Sequence, residues 1–187
     1  LSDEIYKDFY YEGTHSSITE YPGMWDRTIV LDGLSKSYAM TGWRVGFGIF
    51  PNFLVEPVTR LVTNSVSCTA AFSQIASVSA IESSQQSVRE MVAEFKERRD
   101  LLVEGLNNIS GITCPMPKGA FYAFPNITGT GYTSEEFEHN ILTETGISLL
   151  SGTSFGKYGE GYVRISFANS QGKIREALRR LKEFLVN

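Results

Sequence analysis

Cysteine and histidine are scarce in this sequence: Cys68 and Cys114, and His15 and His139, are the only ones among 187 residues. The two cysteines lie too far apart for the paired spacing of zinc or redox motifs, so both are expected as reduced thiols. His15 falls in a polar loop and His139 in an acidic helical stretch, so neither has local support for a metal site or a catalytic dyad. No run of about 18 apolar residues could cross a membrane. The first residues lack a basic segment followed by an apolar one, which sets the expected location in the cytoplasm. Positive charge is not in excess: 17 Lys and Arg stand against 21 Asp and Glu, a net charge of -4. General attraction to nucleic acid or anionic lipid is thereby excluded, and Trp25, Trp43 and the tyrosines read as packing residues. Internal repeats and low-complexity tracts are absent. So is an initiator Met, and residues 1–5 resemble the end of a strand, so the chain is expected to be a piece with further sequence before Leu1.

With 42% hydrophobic and 20% charged residues, the composition is that of a globular chain, which at this size buries roughly 70% of its unfolded surface. Thr28–Leu31 and Val45–Phe50 are short apolar runs bounded by Asp, Gly and Pro, and both read as buried strands. Residues 52–67 and 69–82 carry helical spacing. The polar run Ser83–Ser87 then separates this part from a long amphipathic helix whose apolar face holds Val88, Met91, Val92, Phe95, Leu102 and Leu106. Beyond it, 111–124 reads as strands broken by Pro115, Pro117 and Gly119. Thr133-Ser134-Glu135-Glu136 is a capping box opening a helix that ends near Gly146. In Tyr162–Phe167 the alternation turns Val163, Ile165 and Phe167 one way and Tyr162, Arg164 and Ser166 the other. A final helix carries Ile174, Ala177, Leu178, Leu181 and Leu185 on one stripe.

The densest cluster of reactive residue types is Gly33-Leu34-Ser35-Lys36-Ser37-Tyr38-Ala39-Met40-Thr41-Gly42-Trp43-Arg44, which puts an amine and a guanidinium in one small-residue loop between two strands. Two solvated cations on a surface hairpin would look similar. A nucleotide P-loop is rejected, because Ser35 and Val30 stand where that motif requires glycines. An amine and a guanidinium together suit a carbonyl cofactor that carries a phosphate, and pyridoxal phosphate meets both needs. Its ring nitrogen also needs a buried carboxylate, for which Asp3 is the candidate. Tyr6 lies close enough on a turning chain to address the same ring. Ser154-Phe155-Gly156-Lys157 matches a Ser-x-x-Lys pattern but lacks the motifs that accompany it in penicillin-binding enzymes.

Taken in order, Asp3-Glu4-Ile5-Tyr6, then Gly33-Leu34-Ser35-Lys36 with Arg44, then Arg164 in Tyr-Val-Arg-Ile-Ser-Phe-Ala, the chain resembles the class I/II pyridoxal-phosphate-dependent aminotransferases of fold type I. The resemblance spans nearly its whole length. It implies an α/β fold, the C-terminal part of the aspartate-aminotransferase-like architecture: residues 1–84 end the large cofactor-binding domain and 85–187 form the small α+β domain with a long interdomain helix. It implies that Lys36 is catalytic, forming a Schiff base with the cofactor and shuttling a proton. Asp3 would bind the pyridine nitrogen, Tyr6 the ring oxygen, Arg44 the phosphate, and Arg164 the substrate carboxylate; no metal is implied. The substrates would be an amino acid and a 2-oxo acid, and the full-length protein a homodimer.

Pro117–Tyr122 resembles a family segment that brings backbone toward the substrate, and Ser151–Gly156 a loop normally written Pro-Gly, so Ser151 departs from the pattern. Gly33 departs too, since many relatives carry a phosphate-binding serine there, and Ser35 and Ser37 are the candidates to replace it. Family members are longer, and what precedes this stretch supplies a phosphate loop, a stacking aromatic and an asparagine, so the chain alone is expected to be inactive. Two rival readings keep the cofactor: a lyase or synthase of the same fold, and a non-enzymatic cofactor-binding domain of a transcriptional regulator.

Overall fold

The computed structural model describes residues 1–186 and divides into two compact units, Leu1–Val92 and a second from Ala93 onward. In the first, β1 (Ser2–Asp3), β2 (Val30–Gly33) and β3 (Gly46–Ile49) form one sheet in that order. β1 runs parallel to β2, and β3 antiparallel to it. Two helices follow, α1 (Asn52–Ser65) and α2 (Ala71–Glu82). β3 differs from the expectation of a buried strand: all four of its residues are exposed, and it is the last strand of the sheet in this chain. The apolar sides of α1 and α2 are likewise open, with Phe53, Leu61, Phe72 and Ile75 among the exposed residues.

α3 (Gln86–Asn107) begins inside the polar run Ser83–Ser87, and the division between the units falls within this helix. The second unit contains β4 (Tyr122–Ala123), α4 (Ser134–Thr145), β5 (Leu150–Ser151), β6 (Val163–Ser166) and α5 (Gln171–Val186). Its sheet is antiparallel, in the order β4-β6-β5. Leu106, Ile127, Phe137, Ile141, Val163 and Phe167 are fully buried in its core, each such side chain contributing about 1.5–3 kcal/mol. The Thr133 capping box forms as the pattern predicts, and α4 stops at Gly146 in the left-handed conformation. The strands expected over 111–124 shrink to β4 and single-residue bridges at Thr113, opposite Asn126, and at Gly119. Pro115 and Pro117 have no N–H to give a ladder, and Ala120 takes a φ of 57°, outside the strand region.

Both cysteines are free thiols. Cys68 is exposed, whereas burial pushes the Cys114 thiol up to about 11 and keeps it protonated at neutral pH. The tightest backbone approach lies between Gly152 and Gly159. A Cβ on Gly152 would strike the Gly159 carbonyl and stand 2.7 Å from that of Tyr162. Gly152→Ala is therefore expected to cost about 3 kcal/mol, the upper range for overpacking, read as a lowered urea midpoint.

Candidate active site

The strand directions bring one set of residues to one end of the strands of the first sheet. β1 and β2 are parallel, with Asp3 opposite Leu31, so the chain leaves both at the same end. Tyr6 lies in the turn after β1 and Lys36 in the turn after β2. β3 runs the other way with Gly46 opposite Gly33, so Arg44 precedes it at that same end. Loops at the carboxyl ends of parallel strands are where α/β sheets hold ligands. Lys36 Nζ stands 5.9 Å from the centre of the Tyr6 ring, within reach of a cation–π contact.

Arg44 sits in the left-handed conformation at φ 53°, and its guanidinium donates to the Thr41 carbonyl at 2.8 Å. The loop before it is pinned by buried Ser73 of α2, whose hydroxyl donates to the Trp43 carbonyl at 3.0 Å. An open cleft of about 780 Å³ includes Arg44, Trp43, Cys68, Thr69 and Phe72 in its lining, but Lys36, Asp3 and Tyr6 are not part of it. At Gly33 a Cβ would stand 3.1 Å from Gly46 Cα and 3.2 Å from the Val45 carbonyl, so this backbone leaves little room for the serine of the family pattern.

The ring-nitrogen role called for a buried carboxylate, and here the structure differs: Asp3 is exposed. β1 is a two-residue strand at one side of the sheet, and the Asp3 carboxylate accepts the Ile5 N–H at 3.2 Å. The buried acid of this turn is Glu4. Burial pushes its pKa up, but hydrogen bonds from Ser17, His15 and Ser2 outweigh that and hold it below the ordinary value of 4.5. A carboxyl lowered on folding stabilises above its unfolded pKa and loses that contribution as pH falls through the folded value. Urea midpoints are therefore expected to drop below pH 4.5, less steeply in Glu4→Gln.

Arg164 lies in the second unit, on β6. Tyr122 pairs with Ser166, which makes Tyr122 and Arg164 diagonal neighbours on one face of the sheet. The guanidinium lies 4.5 Å from the centre of the Tyr122 ring and 4.5 Å from that of Phe155. Among the described residues no carboxylate pairs with it, so its planar fork is held by ring faces rather than by hydrogen bonds. Neither ring was singled out from the sequence for this contact. The signal lay in the two segments already noted, Pro117–Tyr122 and Ser151–Gly156, but a diagonal contact needs the strand register. The Pro117 carbonyl accepts from buried Arg99 of α3 at 2.9 Å. Ser151 departs from the family proline with a gain: its N–H donates to Glu138 at 2.7 Å, which a proline could not do. Among the described residues no group of His, Cys, Asp and Glu could hold a metal ion, and no helix is long and apolar enough to cross a membrane.

The fold is that of the C-terminal half of the aspartate-aminotransferase-like class of fold type I. An aromatic aminotransferase from Pyrococcus horikoshii superimposes with a TM-score of 0.96 at 40% identity, over 99% of this chain and 50% of that one. The aspartate aminotransferase from Rhizobium meliloti gives a TM-score of 0.93 at 33% identity, covering 98% and 48%. In sequence, the chain is 41% identical to the putative aminotransferase YugH of Bacillus subtilis and 42% identical to an aspartate aminotransferase of Pyrococcus abyssi, in each case over 99% of its own length and 48% of the relative's. The family model for aminotransferase class I and II matches residues 1–181, and the chain belongs to that family. It spans about half the length of these relatives.

Proposed function

We propose that this chain contributes the lysine-bearing part of a pyridoxal 5'-phosphate-dependent aminotransferase, which moves an amino group between an amino acid and a 2-oxo acid. The observation that carries the reading is that Tyr6, Lys36 and Arg44 flank one end of the sheet's strands, with Lys36 Nζ against the Tyr6 ring, in a chain of this family. The donor set fits the cofactor: an amine for its aldehyde, a phenol beside that amine, a carboxylate in the same turn, and a guanidinium for its phosphate. When bound, pyridoxal phosphate supplies an electron sink for the pair left on the substrate α carbon after its proton departs.

With the cofactor bound, Lys36 Nζ would take that proton and later return it. Asp3 would hold the ring nitrogen, Tyr6 the ring oxygen and Arg44 the phosphate, while Arg164 would meet the substrate carboxylate with its planar fork. The flanking rings support this last role, because they orient the guanidinium without consuming its donors.

The same reading assigns 1–84 to the large domain and 85–187 to the small one, and pairs two copies as a homodimer. The uncovered apolar sides of α1 and α2 support packing against further polypeptide. The chain by itself is expected not to turn over. The aminotransferase names of its relatives favour transfer over elimination. The test loads the natural polypeptide with pyridoxal phosphate and gives it one amino acid at a time. Release of the matching 2-oxo acid without ammonia is expected. Ammonia with an unsaturated product would make it a lyase, and cofactor bound without product a binding domain.

A further inference from the structure

We infer that Glu4, clasped by His15 and Ser17, is a positioning residue that holds the Asp3–Tyr6 turn for the cofactor, an inference that rests on the function proposed above. Glu4 lies between the two residues assigned to the cofactor ring, yet its own side chain is only 9% exposed. Oε1 accepts the Ser17 hydroxyl at 2.7 Å and the Ser2 hydroxyl at 3.1 Å, and Oε2 lies 2.9 Å from His15 Nε2. These are the groups that face the carboxylate, and among the described residues no lysine or arginine pairs with it. His15 is met in turn by the edge of the Tyr10 ring, with centroids 5.9 Å apart. Ser17 is held as the cap of the turn Ile18–Glu20, where Glu20 closes the capping box.

The backbone is tied as well: Glu4 N–H donates to the Leu31 carbonyl at 2.8 Å, and Lys7 N–H to the Glu4 carbonyl at 2.9 Å. Residues 15–20 thus reach back over the turn and fix it by its side chain while β2 fixes it by its backbone. A carboxylate buried on such bonds stabilises little net, because desolvation offsets them. A fully satisfied buried network does remove freedom from the segment it holds. The freedom removed here is that of the turn carrying the Asp3 carboxylate and the Tyr6 ring, which stands against Lys36 Nζ.

The experiment compares the natural polypeptide with Glu4→Ala, Glu4→Gln, His15→Phe and Ser17→Ala. Each is measured for pyridoxal phosphate affinity, for the absorbance maximum of the bound cofactor, for urea midpoint, and, without cofactor, for amide exchange over residues 2–9. His15→Phe keeps the ring against Tyr10 and removes only the polar contact, so it tests the clasp even if Glu4→Ala fails to fold. Glu4→Ala and His15→Phe are expected to speed exchange in the turn, to shift the absorbance maximum and to weaken cofactor binding about tenfold, the scale of a displaced hydrogen bond. Glu4→Gln, which keeps an acceptor for Ser17, is expected to recover part of each. Affinity and absorbance maximum unchanged from the natural protein, whatever happens to the urea midpoint, would overturn the positioning role and leave the aminotransferase reading intact. A natural protein that binds no cofactor at Lys36 would overturn both.

Discussion

Lys36→Ala is expected to abolish the borohydride-stable label that pyridoxal phosphate leaves on the natural polypeptide, and to lower transamination by about 10⁴-fold or more. One amine is asked both to hold the cofactor's aldehyde and to carry the substrate proton, and no other side chain in the turn after β2 can do either. Lys36→Arg separates charge from chemistry. It keeps a cation beside the Tyr6 ring, where Lys36 Nζ now stands 5.9 Å from the centroid, but a guanidinium does not form the reducible imine. Peptide mapping should find the label on Lys36 alone, absent from both variants, with urea midpoints close to the parent's. Label spread over surface lysines and unchanged by either substitution would sink the assignment.

Arg164→Leu should raise KM for amino acids by about 10²-fold, the scale of losing charge-assisted hydrogen bonds, with a smaller effect on kcat. The loss should vanish for amines that lack a carboxylate. Arg164→Lys should recover only part of it: an ammonium restores the charge but neither the fork that matches a carboxylate nor the plane that lies between Tyr122 and Phe155. Steady-state kinetics on an amino acid and on its decarboxylated analogue would check both statements. Equal discrimination between the two compounds before and after the substitution would remove Arg164 from substrate binding.

Much of the second unit was legible in its residues. The Thr133–Glu136 box and the stripe through Ile174 and Leu181 are local patterns, and α4 and α5 follow them closely. The alternation that turns Arg164 away from Val163 and Phe167 is equally local, because a strand has a side-chain period of two. The reading of 111–124 as strands broken by Pro115, Pro117 and Gly119 meets only a short strand, β4, and isolated bridges there. In the first unit, two apolar runs looked alike in sequence, yet β3 has every residue exposed while β2 is partly buried. A short apolar run does not say what will pack against it.

From the amino-acid sequence come the family, the lysine loop, the helix boundaries and the residue types that suit a phosphate-bearing carbonyl cofactor, because each of these depends on neighbours close in the chain. The folded chain alone decides that Lys36 meets the Tyr6 ring, that Glu4 rather than Asp3 is the buried acid, and that two rings hold the Arg164 guanidinium. Those contacts join residues far apart in sequence. They rest on the parallel pairing of β1 with β2, on the diagonal between β4 and β6, and on loops that fold back, as residues 15–17 do onto Glu4; a register is an energy shared by many residues that no single motif encodes.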